Sequence, residues 1–106
     1  MDLKEKILEK SKLNDSELEE FYRRSEKIQG HSLAFRTMMN STRRELLEFI
    51  GEEIKTNKEI YENFDMDETQ IKYHLSMLEQ ALYIIETPIG WKATPSGIGF
   101  ILNTKL

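Results

Sequence analysis

Four apolar residues, Ile71, Leu75, Leu78 and Leu82, recur at helical spacing in an otherwise polar stretch. Advancing 100° per residue, they lie within about 60° of one another around a helix axis. A pattern with that period cannot settle as a strand, so Glu68 to Leu82 is predicted to be a helix with one edge in a core. Its start is marked by Asp67, a capping residue with Gln70 three positions on, and by Met66 and Ile71, which can meet across the cap. Thr69, Lys72, Tyr73, Ser76 and Gln80 fall between about 100° and 200° from Ile71, on the far side. These are hydrogen-bonding groups with one ring and one cation, whereas a face that meets only water more often carries Glu and Lys. The mixture suits contact with base edges and phosphates, and it also suits a polar protein interface.

The flanking residues set this helix in an order. Asn14 with Glu17 forms a capping box, and Leu18, Phe21, Tyr22, Ser25 and Ile28 share the inner face of the helix it opens, with Gly30 placed to cap its end. Before it, Leu3, Ile7 and Leu8 among alternating charges suit a short leading helix that needs a partner surface. His31 to Met39 holds Leu33, Ala34, Phe35, Met38 and Met39, so a short core helix is expected, with His31 as a surface or capping residue at its start. Thr42 with Glu45 makes a second box, opening a helix that buries Leu46, Leu47, Phe49, Ile50 and Ile54 and tolerates Gly51 within it. Thr56 with Glu59 makes a third, for a short helix that turns in Ile60, Tyr61 and Phe64. After Leu82, Tyr83 to Thr87 reads as a β-branched strand, Pro88-Ile89-Gly90 as a turn and Trp91 to Ala93 as the return strand. Thr94-Pro95 reads as a cap with proline at the first helical position. The tail, with Ile98, Phe100, Ile101, Leu102 and Leu106, is too apolar to stay free, and it must cover its own domain or a second subunit.

Composition removes several function classes. The chain has 106 residues and no cysteine, so thiolate metal sites and disulfides are excluded. Its histidines are His31 and His74, too few for a histidine-rich metal site within one subunit, and neither a metal nor a cofactor is expected. Asp65, Asp67 and Glu68 fail as a calcium loop, because the glycine position is Gln70 and the closing glutamate position is Ser76. There is no glycine-rich phosphate loop and no histidine with a suggested nucleophile, so an enzyme is not expected. No apolar run approaches the roughly 20 residues that span a bilayer. The start, Met1-Asp2-Leu3-Lys4-Glu5, lacks the features of a secretory signal, so a cytoplasmic protein with no membrane partner is expected.

Two short helices separated by a tight turn and followed by a hairpin make up a mainly α winged helix-turn-helix. Asn40-Ser41-Thr42-Arg43-Arg44-Glu45-Leu46-Leu47, Ile71-Lys72-Tyr73-His74-Leu75-Ser76-Met77-Leu78 and Gly90-Trp91-Lys92-Ala93-Thr94-Pro95 stand in the order and spacing of the ArsR-type regulators. The chain resembles that family over about His31 to Leu102. The resemblance implies a homodimer that binds inverted repeats of double-stranded DNA to regulate transcription, with one reading helix in each major groove. It places Thr69, Gln70, Lys72, Tyr73 and Ser76 toward the groove; apart from the resemblance, charge makes Arg43, Arg44 and Lys92 further DNA-binding candidates and Arg36 another source of phosphate affinity. His74 matches the family histidine, and at the edge of the core it is expected to be a hydrogen-bonded structural residue. The expected organisation is one compact domain: helices in 1–40 for core and dimerisation, the winged helix-turn-helix in 41–94, and a helix or tail in 95–106.

The chain departs from the family pattern in three ways. The family's thiolate effector sites have no counterpart here. Leu82 stands where glycine ordinarily follows the reading helix, so that helix is expected to end differently. Residues 56–87 carry two cations, Lys58 and Lys72, against Glu59, Glu62, Asp65, Asp67, Glu68, Glu79 and Glu86, a net charge of −5. The formal charge of the whole chain is −4. Because duplex affinity draws heavily on phosphate neutralisation, the alternative is a winged helix that serves as a protein-interaction module, with Ile89 and Trp91 exposed together as part of its docking surface.

Overall fold

Side chains that close the first turn decide where the helices of this chain begin. The computed structural model describes residues 2–27 and 32–104. Its elements are α1 (Leu3–Lys10), α2 (Asp15–Ser25), α3 (Ser32–Met38), α4 (Ser41–Ile50), α5 (Asn57–Asn63), α6 (Glu68–Gln80), β1 (Ile84–Thr87), β2 (Gly90–Ala93) and α7 (Pro95–Thr104). The protein is mainly helical, with one antiparallel hairpin. The capping boxes at Asn14/Glu17 and Thr56/Glu59 both form, and Asp67 accepts from the Gln70 N–H. Thr94 caps α7 by accepting from the Gly97 N–H.

The helix starting near residue 41 is capped differently from expectation. Asn40, not Thr42, is the cap, and its side chain accepts from the Arg43 N–H. Asn40, Ser41 and Thr42 can all cap, and the one whose backbone is extended and whose oxygen reaches the third N–H takes the role. At the other end α4 stops at Ile50, because Gly51 turns to φ 50°, a conformation open to glycine. Ile54 therefore lies beyond the helix and is half-buried.

The end of α6 is unusual in its residue choice. Tyr83 N–H donates to the Leu78 carbonyl and Leu82 N–H to the Glu79 carbonyl, both at 2.9 Å, the paired bonds of a Schellman cap. Leu82 adopts φ 63°, so the conformation suited to glycine is kept by a leucine. The left-handed backbone costs about 1–2 kcal/mol, and burial of the leucine side chain, worth roughly 1.5–3 kcal/mol, offsets it. Leu82 thus leaves the helix but stays in the core.

The core gathers around α4. Leu46, Leu47 and Ile50 meet Ile60 of α5, Ile71, Leu75 and Leu78 of α6, Ile84 of β1, Trp91 and Ala93 of β2, and Ile98 and Ile101 of α7. The hairpin pairs Ile84 with Ala93 and Thr87 with Gly90, so the turn is Pro88-Ile89 and Gly90 belongs to the strand. Lys55 exchanges both backbone hydrogen bonds with Trp91, adding a short third segment to the sheet. Gly90 permits this approach, since a Cβ there would stand 2.8 Å from the Lys55 carbonyl oxygen. The tail covers its own domain: α7 packs on α1, α4 and β2.

The N-terminal helices are less buried than expected. On α3, Thr37 and Met38 are buried, but Phe35 is exposed, as are Met39 just after the helix and Tyr22 on α2. A seven-residue helix makes two turns and can turn only one narrow face inward. α2 ends at Ser25, short of Gly30. The roles expected for Ile28, Gly30, His31 and Leu106 lie outside the described residues. Among the described residues, no helix is long and apolar enough to cross a membrane.

Candidate nucleic-acid interface

The inward stripe of α6 orients everything else on that helix. Ile71, Leu75 and Leu78 are buried, so Thr69, Gln70, Lys72, Tyr73, Ser76 and Gln80 all stand exposed. Gln80 Nε2 donates to Ser76 Oγ at 3.0 Å, which links two of them along the face. Tyr73 is 56% exposed. The five residues of α6 named from sequence are therefore brought together on one surface.

Three other candidates are not brought to that surface. Arg43 is buried. Its Nε donates to His74 Nδ1 at 3.1 Å, and one terminal nitrogen reaches the Thr37 carbonyl at 3.5 Å. The first turn of α4 faces α3 and α6, so its guanidinium is used inside the subunit and is not open to a phosphate. Lys92 is also buried, its Nζ donating to the Lys12 carbonyl and to the Glu17 carboxylate at 2.9 and 2.8 Å. Strand alternation sends Trp91 and Ala93 to the core face of the hairpin and Lys92 to the other, which the α1–α2 connection and α2 cover. Arg44 donates to the Met38 carbonyl at 2.6 Å and lines an apolar groove beside Phe35, Tyr83 and Phe100, away from the α6 face.

His74 has the structural role expected of it. Burial, and then the charge of Arg43, push its pKa below the ordinary value. Glu17 shows competing effects. Burial raises its carboxyl, but hydrogen bonds from Lys92 and the Asn14 N–H, with the Lys92 charge, outweigh this and hold it below the ordinary range.

With Arg43 and Lys92 committed inside the subunit, the surface around α6 is acidic. Lys72 lines a cleft of about 210 Å³ between α5, α6 and the hairpin, and it shares that cleft with Glu79 and Glu86. Trp91 belongs to the core, donating from Nε1 to Asn57 Oδ1 at 2.8 Å, while Ile89 is exposed at the hairpin tip. The joint Ile89–Trp91 docking surface does not form.

The partners of Arg43 and Lys92 were not visible in the sequence, because they lie 31 and 75 residues away. The edge position of His74 was the one signal that a buried donor would be found nearby. Among the described residues, no group of three or more histidines and carboxylates is placed to hold a metal ion. In comparisons with known proteins the chain matches no family, no curated protein and no solved structure.

Proposed function

We infer that this chain is a winged helix-turn-helix regulator that reads duplex DNA as a homodimer, with α5 and α6 as the helix-turn-helix and α6 in the major groove. The observation that carries the reading is the outer face of α6, where exposed Thr69, Gln70, Lys72, Tyr73 and Ser76 ride on a helix anchored by Ile71, Leu75 and Leu78. Hydroxyls and an amide can address base edges, Tyr73 offers a ring, and Lys72 can take a phosphate. The resemblance to the ArsR-type regulators supports the same assignment. Exposed Phe35 on α3 and Met39 just after it are apolar surface that a second copy could cover.

Affinity should be low and its salt dependence shallow. Two cations per protomer, Lys58 and Lys72, give a slope of log affinity against log salt of about −4 for a dimer. Fluorescence anisotropy with duplex flanking the chain's own gene, at low salt, tests the reading. Lys72→Ala and Tyr73→Ala should each weaken binding about tenfold, or about 1.4 kcal/mol, with unchanged thermal unfolding.

Absence of binding to any such duplex at low salt would overturn this reading. The placement of Glu79 and Glu86 beside Lys72 would then favour the second one, a protein-interaction module whose acidic face meets a basic partner.

A further inference from the structure

Tyr73 stands on the exposed face of α6, yet its ring is not left to water alone. The Arg43 guanidinium carbon lies 5.5 Å from the ring centroid, in cation–π range. The neighbouring His74 ring is 5.6 Å away, tilted by 60°. Arg43 itself has little freedom. Its backbone N–H is tied to the Asn40 cap at 3.1 Å, its Nε to His74 Nδ1 and a terminal nitrogen to the Thr37 carbonyl. A buried, planar cation anchored from α3, α4 and α6 thus underlies a ring that faces outward.

We propose that Arg43 is a positioning residue for the reading face, holding Tyr73 in the pose it presents to DNA, with His74 as the joint between them. The proposal rests on the DNA-reading assignment above.

The chemistry of the joint is set by its donor. An arginine Nε can only donate, so His74 Nδ1 must carry a lone pair and the proton of the neutral ring sits on Nε2. Protonating Nδ1 turns the acceptor into a donor aimed at a guanidinium. That removes the bond and places two cations against each other, so Arg43 must leave its seat and Tyr73 loses what lies beneath it. The groups facing His74 are Arg43 from α4 and Tyr73 beside it on α6, while α3 contributes the Thr37 carbonyl through Arg43. Arg43 is the charge that acts on the imidazole, and with burial it favours the neutral ring.

The consequence runs against the general trend. Acidification makes a protein more positive and ordinarily strengthens its attraction to phosphates. Here, loss of the His74 acceptor would weaken duplex binding as pH falls through the His74 midpoint, by about tenfold roughly one pH unit below it, the worth of roughly one base contact.

The test is NMR on the DNA-free protein, followed by duplex anisotropy. Three-bond couplings of Tyr73 should report one χ1 rotamer at neutral pH and averaging below it. The midpoint should coincide with that of the His74 ring and lie under the ordinary 6.5. Arg43→Lys keeps a charge but lacks Nε and the plane. It should average the rotamer already at neutral pH and raise the His74 midpoint. His74→Gln offers a non-titrating acceptor and should remove the pH dependence of both the rotamer and duplex affinity. A merely structural Arg43 would change stability in Arg43→Lys while the Tyr73 couplings stayed as in the wild type.

Couplings that ignore the His74 titration, or that match the wild type in Arg43→Lys, overturn the proposal even if duplex is bound. Couplings that behave as expected with no duplex bound at any pH support the positioning role and overturn the DNA-reading assignment.

Discussion

The half built from α4, α6 and the hairpin and the half built from α1, α2 and α3 are held by different means. In the first, Leu46, Leu47, Ile50, Ile71, Leu78 and Ile84 are wholly removed from water. In the second, Phe21 and Met38 are the buried large apolar side chains among the described residues, while Leu3, Tyr22, Phe35 and Met39 stay exposed. The N-terminal half is tied on by particular contacts: Lys92 with Glu17, Lys10 with Glu52, and α1 against α7. A periodic stripe spreads its energy over many contacts and survives the loss of any one. A few discrete ties do not, and they come apart locally before the core does.

The largest expected effect lies where α7 closes over the core. A Cβ at Gly97 would stand 2.2 Å from the Tyr83 carbonyl oxygen, with Leu47 Cδ1 at 3.1 Å. Gly97→Ala should therefore force α7 off this seam and cost at least about 3 kcal/mol in urea denaturation. A smaller loss would show that α7 can shift as readily as the N-terminal helices, and the contrast between the halves would weaken.

The tie between the halves comes next. Glu17→Gln leaves Lys92 buried without its counter-charge, with an expected cost of about 1–3 kcal/mol, discounted for partial exposure of the pair. The loss should be local: hydrogen exchange should quicken in α2 and stay slow in α6. Because the folded Glu17 carboxyl is held below its ordinary 4.5, its contribution is complete above that value. It fades as pH falls through the folded pKa. Acid should free α2 first, and equal acceleration in α2 and α6 would erase the distinction.

The smallest effect concerns the seat of α3. Thr37 is fully buried, and its Oγ1 has no hydrogen-bond partner among the described residues. Thr37→Val removes that orphan at nearly constant shape, and thermal unfolding should show no loss and a gain of up to about 1 kcal/mol. A loss would reveal a partner for the hydroxyl and a tighter α3 than its exposed Phe35 and Met39 suggest.

Much of the core half could be read in advance because its information is local. The α6 stripe and the caps at Thr56, Asp67 and Thr94 depend on residues within a few positions of each other. The slip from Thr42 to Asn40 arose where three consecutive residues could cap and only the path of the chain chose among them. The outward set on α6 followed from the same periodicity, so Thr69, Lys72, Tyr73, Ser76 and Gln80 could be named together, and the family resemblance added Gln70. Arg43 and Lys92 were misplaced for the opposite reason. A cation that serves the surface and one that serves the interior look alike until the distant acceptors of the latter are in view.

By itself, then, the sequence determined which segments are helical, where most of them start, and which edge of α6 hides. Those outcomes follow from backbone hydrogen bonding and a repeat of 3.6 residues, which act over one or two turns. Only the tertiary structure decided that Leu82 would take a left-handed turn and that Lys92 would pair with Glu17. It also decided that Arg43 would stand beneath Tyr73 rather than beside a phosphate. Each of these depends on desolvation and on partners supplied by remote parts of the chain, and burial exists only once the whole chain has packed.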